Sequence, residues 1–158
     1  MKKTIYLDTT VPSYYYDERE SIKTFVDITQ DWWKKEIKNY NMFLSEATID
    51  ELNNGDYPNK VKILKLISKI TVLPFDNEII NIAQVYLNNY LMPNDLKGDA
   101  LHLAYASFYK IDFLLTWNCN HLANANKKQH IRVINTKLGL FTPEIITPML
   151  LFTEDKNV

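Results

Sequence analysis

The stretch FLLTWNCNHLAN, Phe113 to Asn124, changes character halfway along. Phe113, Leu114 and Leu115 lead through Thr116 into Trp117 as a short apolar run rich in strand-forming residues. The chain then spills into Asn118, Cys119 and Asn120, residues that favour a turn. A run this brief is read as a buried strand of a layered domain, not as a helix. In an open α/β sheet, ligands bind beyond the carboxyl ends of the parallel strands, so Asn118 marks the first place to look for chemistry. An uncharged amide at such a position raises the question of what surrounds it.

Working outward, four more runs have strand character: KTIYLD at 3–8, NMFLS at 41–45, ITVLPF at 70–75 and IRVIN at 131–135. Between them, apolar residues recur at helical spacing. Ile22, Phe25, Val26, Trp32, Trp33 and Ile37 form one face; Val61, Leu64, Leu66 and Ile67 a second; Ile79, Ile82, Ala83, Tyr86 and Leu87 a third; Leu101, Ala104, Tyr105 and Phe108 a fourth. Strands alternating with helices imply crossover connections and a parallel sheet covered on both faces. The expectation is a single α/β domain over residues 1–158, a three-layer α/β/α sandwich with a mainly parallel central sheet. The tail LFTPEIITPMLLF, 140–152, is expected to pack as a last short helix or an edge strand.

A chain of 158 residues needs no disulfide staple to support a core, and its one cysteine, Cys119, fits a free thiol in a reducing compartment. After Met1, Lys2 and Lys3, too few apolar residues precede Asp8 for a signal peptide, and no apolar run approaches a membrane span, so a cytoplasmic protein without membrane association is expected. The net charge of -1 gives no overall positive field. Lys34, Lys35 and Lys38, the series Lys60, Lys62, Lys65 and Lys69, and the group Lys127, Lys128, His130 and Arg132 read as solvated helix faces. Gly55, Gly98 and Gly139 fall in no phosphate-cradling spacing, which removes dinucleotide and P-loop readings. His102, His121 and His130 have no zinc-ligand spacing with Cys119.

Acids stand where the layered reading would put a site. Asp8 directly follows the buried run Ile5-Tyr6-Leu7, where a carboxylate is costly unless paired, metal-bound or solvated in a cleft. TTVPS then starts a helix, with Thr10 as its expected cap and Pro12 in its first turn. After Ser45, EATIDEL places Thr48 and Glu51 on one helix face and Glu46 and Asp50 on another, and phase alone leaves the choice of acid open. Asp99 opens the helix DALHLAYASFYK, where the helix dipole also gives a negative charge a structural reason. His102, on the same face, is expected as a half-buried, hydrogen-bonded side chain. A haloacid-dehalogenase-type phosphatase would want a second aspartate where Thr10 stands, and a phospho-receiver an acidic pair that KKTIY lacks.

The motifs YLDTTVPS, LSEATIDEL, GDALHLAYA and LLTWN, in this order and across most of the chain, resemble the PIN-domain nucleases, and most of all the VapC-type toxins of bacterial toxin-antitoxin pairs. The resemblance implies an endoribonuclease dependent on Mg²⁺ or Mn²⁺. Asp8 and Asp99 would hold the metal directly or through water, with Glu51 a further ligand or the base that orients a water. Ser45 followed six residues later by Glu51 matches the family pattern and favours Glu51 over Glu46. The family's fourth acid commonly stands as Thr-x-Asp, and Thr116-Trp117-Asn118 departs from it. Asn118 would then be a neutral fourth catalytic member that holds a water or a substrate phosphate; its rival role is a turn residue capping a helix near His121. The implied partners are RNA and a cognate antitoxin. The aromatic stretches SYYYD, 13–17, and DWW, 31–33, offer anchors for a partner helix or a homodimer contact, or else simple core packing. The competing expectation is a PIN-like domain that binds RNA or a protein without cutting.

Overall fold

The computed structural model describes residues 1–92 and 98–153. Strand β1, Lys3–Leu7, lies at the centre of the sheet because Ile5, Tyr6 and Leu7 are all fully buried, so both of its faces must be covered. Strands β2 (Tyr40–Leu44), β3 (Thr71–Val72), β4 (Phe113–Leu115) and β5 (Glu144–Ile146) complete a five-stranded sheet in the order β3-β2-β1-β4-β5. Every pairing is parallel, with Leu7 opposite Leu115 and Leu115 opposite Ile146. The chain runs outward from β1 to one edge and then outward through β4 to the other, which makes the gap between the ends of β1 and β4 the topological switch point.

Alternation along the strands divides the core in two. Tyr6 and Leu114 point into one half, where they meet α5 (Asn77–Asn88), α6 (Asp99–Phe108) and α7 (Ala125–Leu138) through residues such as Ile79, Tyr86, Leu103 and Ile131. Ile5, Leu7 and Leu115 point into the other, against α1 (Thr10–Tyr15), α2 (Lys23–Glu36), Leu52 of α3 (Glu46–Asn53) and α4 (Lys60–Leu66). The result is the three-layer α/β/α sandwich that the alternating patterns imply. Trp32 and Trp33 are both buried there, and the Trp32 indole donates to Leu151 O at 2.9 Å, so the DWW stretch is spent on core packing.

The fifth strand is not where the sequence pattern puts it. Residues 131–135 lie inside α7, because Ile131 and Ile134 are buried at a helical spacing while Val133 between them is exposed. Both ends of that helix are well specified: the Asn124 side chain accepts from Lys127 N at 2.9 Å, and Gly139 closes it with a left-handed φ of 69°. The tail supplies the strand instead, as edge strand β5 followed by a 3-10 turn at Pro148–Leu150. Two smaller expectations also shift. Val61 is 80% exposed, with Ile63 and Ile67 buried in its place, and the cap position of α1 is Thr9, so Thr10 is already helical.

A buried polar group ties the helical layer together. Tyr86 Oη donates to Asn135 Oδ1 at 2.6 Å and lies 3.2 Å from Ser107 Oγ, which links α5, α6 and α7. Tyr86→Phe leaves the Asn135 oxygen without its donor in an apolar setting, and a loss of about 1 to 3 kcal/mol is expected. Urea denaturation would check it: a lower midpoint with an unchanged slope is the expected result, and an unchanged midpoint would contradict it.

Candidate functional site

The switch point holds Asp8, one residue past β1, whose backbone N–H donates to Leu115 O at 3.3 Å. Asp8 is 1% exposed, and its side chain accepts hydrogen bonds from Thr10, at the start of α1, and from Thr116, just past β4. Oδ1 accepts from Thr10 N at 3.0 Å and from Thr10 Oγ1 at 2.6 Å, while Oδ2 accepts from Thr116 Oγ1. Thr10 Oγ1 in turn accepts from Trp117 N at 2.9 Å, and Thr116 Oγ1 from Asn118 N at 2.9 Å. Two threonine hydroxyls thus stitch the end of β1 to the end of β4 through one carboxylate. Burial pushes the Asp8 carboxyl up to about 6 and Asp99 adds to the rise, against the lowering effect of His102 and of the two threonines.

Asp99 enters from the first turn of α6, and its Oδ2 accepts from Asn118 Nδ2 at 2.7 Å. The other end of the Asn118 amide accepts from His121 N at 3.1 Å. Only the amide oxygen can accept from a backbone N–H and only the nitrogen can donate to a carboxylate, so these two bonds fix which way the amide faces. Its oxygen belongs to the turn, and its N–H belongs to Asp99. The turn role therefore exists, but no helix begins near His121: the next helix is α7, capped by Asn124.

Glu51 comes from the third direction, on α3, whose start is fixed by Ser45 Oγ accepting from Ala47 N at 3.2 Å. Glu46 and Asp50 on the same helix are exposed, whereas Glu51 turns inward. Its Oε2 accepts from Thr9 Oγ1 at 2.5 Å, and its Oε1 lies 3.0 Å from His102 Nε2 in an ion-pair contact, these two atoms having no other partner among the described residues. Burial raises the Glu51 carboxyl, but His102 and the Thr9 hydroxyl outweigh it and hold the group below its ordinary range. His102 is 1% exposed, not half-buried as its sequence position implies. Burial works against its protonation, while the Tyr6 oxygen, Glu51 and Asp8 favour it, and the net direction is well above the ordinary histidine range.

The structure thus gathers Asp8, Asp99 and Asn118 at one point, with Glu51 beside them on a separate set of contacts. Among the described residues, no three His, Cys, Asp or Glu side chains are grouped closely enough to hold a metal ion. The chemistry of Asp8 and Asp99 still fits a hard divalent cation. Mg²⁺ is usually held by one or two carboxylates and keeps several waters, and a buried carboxyl raised to about 6 beside a second acid is a group whose ionised form a cation would favour. Thr9, Thr10, Thr116, Tyr6 and His102 went unnoticed or undervalued in the sequence. The signal available for the threonines was their place directly beside Asp8 and Asn118. Next to Glu51, a cavity of about 880 Å³ opens between α3, α5 and α6, lined by Glu46, Asp50, Phe75, Ile80 and Tyr105 among others.

Comparison with known proteins agrees with this architecture. Solved structures share the fold, among them two toxin-antitoxin complexes. One, described as VapBC2 from Rickettsia felis bound to a DNA fragment from their promoter, matches with a TM-score of 0.58 at 14% identity, covering 91% of this chain and 98% of the matched one. The other, FitAcB from Neisseria gonorrhoeae, matches with a TM-score of 0.57 at 15% identity, covering 94% and 100%. No curated protein sequence matches. The family model described as PIN domain matches residues 5–127, a span that opens inside β1 and takes in Asp8, Glu51, Asp99 and Asn118. The match runs from β1 into the start of α7 and covers most of the chain, which belongs to the PIN domain family.

Proposed function

We propose that the protein is an endoribonuclease dependent on Mg²⁺ or Mn²⁺ and the toxin of a VapC-type toxin-antitoxin pair, acting in the cytoplasm. The observation that carries this reading is the buried Asp8 at the switch point, raised by burial and by Asp99 to about 6 even against the lowering effect of His102 and of the two threonines. A carboxylate kept in such surroundings is stabilised by a bound cation more than by any neutral partner the site offers. What a bound Mg²⁺ or Mn²⁺ supplies is neutralisation of charge on a phosphate and acidification of a water.

The chain's own residues do the rest. Asp8 and Asp99 would hold the cation, and Asn118 holds Asp99 through its N–H. Glu51, kept ionised by His102 and Thr9, retains unused lone pairs with which to orient the attacking water and take its proton. In-line displacement would then form the bond from the water oxygen to phosphorus as the bond to the leaving oxygen breaks, with the water's proton going to Glu51 and the leaving oxygen taking one from solvent. The cavity beside Glu51 joins the acids Glu46 and Asp50 to exposed Phe75 and Ile80, a lining complementary to a partner segment that carries basic and apolar side chains, as an antitoxin would present. None of the described helices is long and apolar enough to cross a membrane.

The test is cleavage of a panel of structured RNAs by purified protein with Mg²⁺, with Mn²⁺ or with EDTA, alongside the Asp99→Asn variant. Cleavage is expected only with metal, and a drop on the order of a thousandfold is expected in the variant. Equal cleavage in EDTA or by the variant would identify a contaminant and sink the reading. RNA binding without cleavage under every condition would favour the binding-only alternative instead.

A further inference from the structure

Beneath the acids lies a second polar layer that the proposed reaction does not use directly. Tyr6, from the middle of β1, sends its hydroxyl to within 2.8 Å of His102 Nδ1 and 2.6 Å of Ser45 Oγ, with Thr48 Oγ1 at 3.4 Å. Thr48 Oγ1 donates to Leu7 O at 3.1 Å, and Ser45 Oγ accepts from Ala47 N at the start of α3. All four side chains are buried. The network joins three segments, β1, the start of α3 and the first turn of α6: Ser45 and Thr48 hold the Tyr6 hydroxyl, Tyr6 holds the His102 imidazole at Nδ1, and the other ring nitrogen, Nε2, faces Glu51.

Such a ring has little freedom. Its Nδ1 is committed to Tyr6, and its plane is tilted against the Tyr6 ring with centroids 5.6 Å apart. Glu51, by contrast, is a three-torsion side chain at the rim of a cavity, with its carboxylate partly exposed. Left alone it would sample several rotamers, and fixing it costs side-chain conformational entropy. Something must hold it if it is to meet a water at one place. Thr9 holds Oε2 from the loop after β1, and His102 holds Oε1 from below.

We propose that His102 is a positioning residue for Glu51: fixed at Nδ1 by the Tyr6–Ser45 pair, it uses Nε2 to hold the Glu51 carboxylate in the orientation from which it acts on the attacking water. The inference rests on the proposed nuclease reading, but its structural part does not need that reading. It assigns His102 no contact with substrate or metal.

The two amide replacements of histidine separate the role from packing. In a buried histidine site, glutamine places its Nε2 near the imidazole Nε2 and can still donate to Glu51, whereas asparagine reaches only the Nδ1 position. His102→Gln is expected to keep kcat within about threefold, while His102→Asn loses about tenfold to a hundredfold in kcat, the range typical of removing a supporting partner, with KM little changed. The double variant His102→Asn/Glu51→Gln should be no slower than Glu51→Gln alone, since both changes remove one function. Crystal structures of the metal-free proteins give a second readout: Glu51 stays in place in wild type and His102→Gln and leaves it in His102→Asn. Full kcat in His102→Asn, equal losses in both single variants, or an unmoved Glu51 in His102→Asn would overturn the proposal. If the asparagine variant does not fold, the glutamine variant decides alone, with retained kcat and an unmoved Glu51 supporting the role and their loss overturning it. If wild type does not cleave RNA, the nuclease reading fails while the crystallographic comparison still decides whether His102 holds Glu51.

Discussion

Asp8→Asn is expected to abolish metal-dependent cleavage and, at the same time, to raise the melting temperature of the metal-free protein at neutral pH. The first effect follows from losing a cation-holding charge, on the order of a thousandfold in rate. The second follows from the cost of that charge in the fold. The Asp8 carboxyl titrates at about 6 when folded, against 3.8 in the unfolded chain, because it is buried beside Asp99. A group raised in this way favours the folded state fully below the unfolded value, and that contribution is lost as pH climbs through the folded one. Between pH 4 and 6 the wild type should therefore lose up to ~3 kcal/mol in EDTA that an uncharged residue does not lose. For a chain of this length that corresponds to about 6 to 12 °C at pH 7, with the two melting curves converging below about pH 4. The hydrogen bonds from Thr10 and Thr116 work in the opposite direction, so the observed gain measures how far burial outweighs them. A variant less stable than wild type at pH 7 would mean that the hydrogen-bond stitch, not the buried charge, dominates at Asp8.

Asn118→Asp should invert the relation between stability and metal. The wild-type amide donates to Asp99 at 2.7 Å, so a carboxylate in its place sets acceptor against acceptor and charge against charge. Without metal, the variant should lose about 1 to 3 kcal/mol, the cost of an unsatisfied buried contact. With a cation shared between the acids, the same added charge becomes favourable, and Mn²⁺ should bind about tenfold more tightly, or about 1.4 kcal/mol. Asn118→Ala serves as the control, since it loses both the Asp99 contact and the acceptor for His121 N without adding charge. Calorimetric titration of Mn²⁺ into the three proteins, with melting curves in EDTA, distinguishes the cases. Identical affinities in all three, with only the stabilities differing, would confine Asn118 to its turn.

Much of the architecture was legible because its signals were local. The run Ile5-Tyr6-Leu7 could only be a buried strand, and Ile79, Ile82, Ala83, Tyr86 and Leu87 could only be one face of a helix; all eight are buried as read. IRVIN misled because five residues with three aliphatics fit either period, and the deciding features, Asn124 as a cap and Gly139 as a left-handed stop, lie outside the run. The acids were legible for a related reason. Asp8 and Asp99 sit at a strand end and a helix start, where local pattern fixes their place, and the family pattern favoured Glu51 over its neighbours. Their supports were not. Tyr6 reads as strand core, His102 as a helix residue and Thr116 as strand, and only the register of β1 against β4 and the docking of α6 turn them into partners.

The threonine stitch has a consequence for how the protein comes into being on the ribosome. Asp8 and Thr116 stand 108 positions apart, and the strands they follow are neighbours at the middle of the sheet. While the chain is being synthesised, β1, β2 and β3 can pair, but the slot beside β1 stays open until β4 has emerged and docked. Closing so long a loop is slow compared with forming the helices, which places it late in folding. A nascent chain thus cannot form the Thr116–Asp8 or the Asn118–Asp99 hydrogen bond until β4 has emerged and docked.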